Sequence, residues 1–125
     1  MTGMSVLYIG SLIILGWGAA HLFPTAAVVK GFGDISADNR RIIIMEWITE
    51  GITLIFVGIL VAVVTCLDRH SLVSHTVYWL SFGLLNTLSI LSLFTGFNNS
   101  FIAFKLCPFI FTGSSLLILY GSYLN

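Results

Sequence analysis

Four stretches of this chain carry no Lys, Arg, Asp or Glu: residues 1–29, 51–67, 76–104 and 106–125. About 20 apolar residues, each rising 1.5 Å, suffice to cross roughly 30 Å of hydrocarbon, so the spacing predicts four membrane-crossing helices and leaves no room for a fifth. A water-soluble fold is excluded on the same grounds. Of the 125 residues 58% are hydrophobic and 8% are charged, against roughly 25% charged in soluble domains, too few to cover a wetted surface. The expected fold is an all-α, integral-membrane four-helix bundle forming one domain over residues 1–125, with spans at about 4–23, 40–67, 72–95 and 105–123.

The linkers punctuate this plan. Pro24 ends or kinks the first span, the Gly31-Phe32-Gly33 unit breaks any continuation, and Ser36 or Asp38 is placed to cap the second span. Val28, Val29 and Phe32 fit a short amphipathic turn lying at the interface. The linker DRHSLVSH at 68–75 is tight, which makes the second and third spans antiparallel neighbours. The first run lacks a basic flank and a small-residue cleavage site, so it reads as a retained span and not as a cleaved signal. Lys30, Arg40, Arg41 and Lys105 fall on one side of the membrane and only Arg69 on the other. The positive-inside bias then puts both termini on the non-cytoplasmic side and leaves the sequon Asn98-Asn99-Ser100 in the cytoplasm, unglycosylated.

Against this apolar background two glutamates stand one helical turn apart. Glu46 and Glu50 open the second span in MEWITEG, and an ionisable group inside the hydrocarbon costs on the order of 2.5–3.5 kcal/mol even on lenient scales. Such groups face a protein interior or a cavity and mark function. The span is about 42 Å long as read here, longer than the hydrocarbon is thick, which puts Glu46 at the inner interface and Glu50 a turn deeper. Thr53 continues the same stripe. His21 near the end of the first span, Asn86 in the third and Thr112 in the fourth fall at a comparable depth, with Trp17 and Trp79 as candidate walls. Trp47 is the weaker wall candidate, since it points about 100° away from Glu46.

The candidate site therefore comprises Glu50, Glu46 and His21 as acid–base groups, with Asn86, Trp17, Trp79, Thr53 and Thr112 as ligand-binding groups. Low-dielectric surroundings disfavour the charged form of a carboxylic acid, so a Glu held there can donate a proton while an imidazole accepts one. That chemistry suits double-bond migration, cyclisation or epoxide opening on a lipophilic small molecule. No nucleophile elbow, phosphate loop, zinc motif or dinucleotide fingerprint is present. No metal, cofactor or nucleic-acid partner is expected. Cys66 and Cys107 fall near opposite ends of their spans, too far apart for a disulfide. Two competing readings remain open: a small proton-coupled transporter or lipophile-binding protein, the transporter built as a homodimer, and an accessory membrane subunit.

In size, span number and use of intramembrane His, Glu, Asn and Trp, the chain resembles a group of small helical membrane proteins. The segments carrying the likeness are GWGAAHLFPT at 16–25 and MEWITEG at 45–51. The group includes sterol-isomerase-type (emopamil-binding) proteins, DoxX-like proteins and the four-helix membrane enzymes of natural-product pathways. The sterol-isomerase likeness implies that His and Glu side chains move a proton across a carbon–carbon double bond, a role open here to His21, Glu46 and Glu50.

Overall fold

A computed structural model describes residues 2–98 and 100–124. Asn99, the middle residue of the sequon, lies outside the described residues. Five helices and no strand occur among those described: α1 Gly3–Leu22, α2 Thr25–Gly31, α3 Ala37–Asp68, α4 Leu72–Thr95 and α5 Ile102–Tyr123. All but α2 are long and apolar enough to cross a bilayer. The protein is a multi-pass, all-α membrane protein.

Local chemistry accounts for the boundaries. The Oγ1 atom of Thr2 accepts the Ser5 N–H at 3.4 Å and starts α1. Pro24 has no N–H to continue the helix, and the chain re-enters helix as α2 before Phe32 and Gly33, whose φ of +70° is the left-handed turn that glycine tolerates. Ser36, not Asp38, caps α3 by accepting the Asn39 N–H at 3.2 Å. Ser71 caps α4 in the same way through the Ser74 N–H at 3.1 Å. The 32-residue α3 begins three residues before the expected start at 40, and α5 likewise begins at Ile102 instead of Lys105.

The helices form a ring in which α1 packs along α3 and α5, and α4 packs along α5. Leu7, Ile14, Leu54, Val61, Leu85, Phe111 and Ile118 fill the centre. The tight linker does make α3 and α4 sequential neighbours, yet they meet over a much shorter stretch than the other neighbouring pairs. Their contact is concentrated beside the turn. There the Ser74 hydroxyl donates to the Asp68 and Val64 carbonyls at 2.6 and 3.2 Å, and the Thr65 and Tyr78 hydroxyls are 2.9 Å apart. Away from the turn the two helices splay, and a groove opens between them. Polar side chains instead join α4 to α5. Asn86 Nδ2 donates to Ser115 Oγ at 3.0 Å, and Ser89 Oγ lies 2.8 Å from Thr112 Oγ1 and donates to the Pro108 carbonyl at 2.9 Å. Interhelical bonds of this kind hold membrane helices together where the surrounding lipid provides no hydrophobic drive.

Candidate functional site

The site begins with two glycines. A Cβ on Gly18 of α1 would lie 2.8 Å from the Gly51 carbonyl oxygen and the Ile55 nitrogen, and a Cβ on Gly51 would meet the Leu22 side chain at 2.5 Å. Two turns further along α3, a Cβ on Gly58 would press on the Ser11 carbonyl at 2.7 Å. Because these residues have no side chains, the backbones of α1 and α3 touch directly, the small-residue packing that membrane helices favour. Side chains just beside the crossing are therefore brought together. Those are His21, three residues after Gly18, with Glu50 and Trp47, one and four residues before Gly51.

His21 is held on three sides. Its ring stacks on the Trp47 indole with centroids 3.9 Å apart and planes 17° from parallel. The Trp47 indole N–H donates to the His21 carbonyl oxygen at 2.9 Å; that oxygen is among the last four carbonyls of α1, which have no partner within the helix. Imidazole Nε2 faces Glu50 Oε2 at 3.5 Å. The imidazole is 5% exposed and the carboxylate 35%, so the pair has one buried and one accessible member. Behind Trp47, the Phe104 ring meets the indole edge-on at 5.5 Å.

Two cavities flank this cluster. The splayed α3–α4 face holds a groove of about 550 Å³, lined by Glu46, Glu50 and Thr53 of α3, by Leu84, Leu88 and Leu91 of α4, and by Val28 and Phe32 beside α2. On the other side of Trp47 lies a smaller chamber of about 170 Å³, bounded by Trp17, His21, Phe101 and Ala103 among others. Trp47, Phe104 and Cys107 border both spaces. Glu50 thus faces the groove and His21 the chamber, with 3.5 Å between them. As metal ligands the two stand alone, since no group of three His, Cys, Asp or Glu forms among the described residues.

The sequence candidates divide in space. His21, Glu50, Glu46, Thr53 and Trp17 lie at these two cavities. Glu46 is exposed at the groove, with no ion pair among the described residues, while Arg41 pairs with Asp38 at 3.2 Å. Thr53 donates back to the Thr49 carbonyl at 2.8 Å. Trp17 is a wall of the chamber, and its indole N–H is buried without a hydrogen-bond partner among the described residues. Asn86 and Thr112 are engaged in the α4–α5 seam and line neither cavity. Trp79 stands further away, 49% exposed and edge-on to Phe82 at 5.8 Å. It lines neither cavity, because its face of α4 is turned outward. The two cysteines are both free, Cys66 exposed and Cys107 buried.

Sequence reasoning undervalued Trp47 and missed Phe104 and Cys107. Trp47 points away from its neighbour Glu46 but shares a helix face with Glu50, three residues on. Phe104 and Cys107 have the same i, i+3 spacing on α5, a signal easily lost among ten phenylalanines. No family model, no curated protein and no solved structure matches this chain.

Proposed function

We propose that the protein is an intramembrane acid–base enzyme of the isomerase, cyclase or epoxide-opening type, acting on a lipophilic small molecule that reaches the groove sideways from the bilayer. Of these activities, double-bond isomerisation is the one that the resemblance to sterol-isomerase-type proteins implies. The observation that carries the reading is the His21–Glu50 pair, 3.5 Å apart, with Glu50 on the wall of a groove lined largely by apolar side chains and His21 on the wall of the chamber beside it. An isolated ionisable group facing hydrocarbon is costly, and a second one beside it, held by stacking and by backbone contact, is a poor choice for a purely structural seam. Such a pair can pass a proton. One member gives it to a double bond or epoxide oxygen, and the partner takes a proton from the adjacent carbon or from an attacking water, so the enzyme ends as it began.

The groove and chamber account for substrate class. Apolar walls with few polar groups fit a lipophile, and the α3–α4 opening gives access without passage through water. The orientation belongs to the same proposal: both termini lie on the non-cytoplasmic side, supported by four basic residues near the α2 end and one at the other. Expressed in a eukaryotic secretory membrane, Asn98 should stay unglycosylated, and a glycan there would reverse the assignment.

The activity is tested without knowing the substrate. Purified protein is incubated with a total membrane lipid extract in D₂O enriched in ¹⁸O, and the lipids are analysed by mass spectrometry. Isomerisation or cyclisation leaves deuterium on carbon, and epoxide opening leaves ¹⁸O in a diol. A label-free result, combined with pH-gradient-driven efflux of a lipophile from proteoliposomes, would replace the enzyme reading with transport.

A further inference from the structure

The small chamber behind Trp47 reaches only the His21 member of the acid–base pair, and its size is selective. It holds about 170 Å³, against about 550 Å³ in the groove. An apolar cavity of roughly 150 Å³ stays dry and takes up benzene. Four aromatic side chains, Trp17, Trp47, Phe101 and Phe104, wall the half-open chamber, and Ala103 and His21 are among the residues that complete its lining. Flat aromatic walls favour a ring, which they meet face-on or edge-on at centroid distances of about 4.5–7 Å. Through Trp47, Phe104 and Cys107 the chamber shares a wall with the groove.

We propose that the chamber is a distinct subsite that accepts one ring-sized apolar end group of the ligand, while the remaining, longer apolar portion lies in the α3–α4 groove. The inference rests on the lipophile reading of the groove and adds the ligand's shape: a single six-membered ring, or a branched group of that size, joined to an extended chain. A fused pair of rings is the larger end group that the subsite is proposed to select against. With Nε2 turned toward Glu50, Nδ1 is the His21 nitrogen left to meet the ring-bearing end. His21 is then the residue that touches the ligand in the chamber, and Glu50 acts from the groove.

The protein's own tryptophans report occupancy. In a Trp79→Phe background the remaining indoles, Trp17 and Trp47, both border the chamber, and a bromine atom in contact quenches indole fluorescence. Three probes are titrated in detergent: a long alkane ending in a para-bromophenyl ring, one ending in a bromonaphthyl group, and a ring-free alkane brominated at mid-chain. The bromophenyl probe should quench saturably. The bromonaphthyl probe should bind about tenfold more weakly or worse, the scale of losing burial of a ring. Ala103→Phe, which fills the chamber from α5, should weaken the bromophenyl probe by a similar factor and leave the mid-chain probe unchanged. Ala20→Phe fills it from α1 and serves if the first variant does not fold. Equal quenching by phenyl and naphthyl probes, or by the bromophenyl probe with and without the filling substitution, overturns the subsite alone. If neither the ring-bearing nor the mid-chain probe quenches saturably, the subsite and the lipophile reading of the groove both fail.

Discussion

Imidazole Nε2 of His21 lies 3.5 Å from Oε2 of Glu50 because two glycines, Gly18 and Gly51, let the backbones carrying them touch. Moving α1 and α3 apart by the width of a methyl group would separate the pair. The fold and the candidate site are therefore coupled through residues that have no side chain.

Gly18→Ala should destabilise the bundle by about 1–3 kcal/mol, the usual cost of overpacking a close contact, and should lengthen the His21–Glu50 distance. Gly16→Ala is the control, since nothing lies within 4 Å of a Cβ there. Thermal unfolding in detergent should show a lower midpoint for the first variant and an equal or slightly higher one for the second, since Ala is the better helix former. Equal midpoints would mean that the α1–α3 crossing is looser than described.

Trp47 should matter more to His21 than to overall folding. Trp47→Leu removes both the stacking face and the N–H that satisfies the His21 carbonyl, leaving the imidazole free to turn into the groove. Diethyl pyrocarbonate should modify the exposed His70 readily in the wild type and leave the buried His21 slow. In the variant, peptide mapping should find His21 modified at a rate approaching that of His70. Continued protection would assign the burial of His21 to other neighbours.

Asn86 separates a ligand-binding role from a structural one. Its amide donates to Ser115 Oγ and to the Phe82 carbonyl, so Asn86→Ala should cost on the order of 0.6 kcal/mol, with about 1.7 as the upper end for such bonds in membranes. Probe binding in the groove should not change. A loss of binding with unchanged stability would return Asn86 to the ligand site.

The helices were legible because charge-free runs, prolines and serine caps are local signals; α4 occupies residues 72–95 as its flanking Ser71 and Gly96 dictate. The helix α5 starts at Ile102, three residues before Lys105, because Ile102, Ala103 and Phe104 are apolar enough to join it. For the site, counting residues carries no information on direction around the helix axis. Counting residues puts His21, Glu50, Asn86 and Thr112 at similar levels, but only backbone contact at Gly18 and Gly51 determines that the first two meet while the others face across the α4–α5 seam. The splay of α3 from α4 was equally hidden, since a tight turn specifies adjacency at one end and says nothing of the other.

The acid–base claim turns on Glu50, and the sharpest measurement is label incorporation from D₂O and ¹⁸O-enriched water into membrane lipids by wild type and Glu50→Gln side by side. The glutamine keeps the side-chain shape but cannot carry the titrating proton that Glu50 would hold 3.5 Å from His21. With both proteins folded to the same thermal midpoint, incorporation should fall about 10²-fold or more in Glu50→Gln, the scale of losing a general acid or base, and should fall less in Glu46→Gln at the exposed side of the groove. Undiminished labelling by Glu50→Gln would contradict the account.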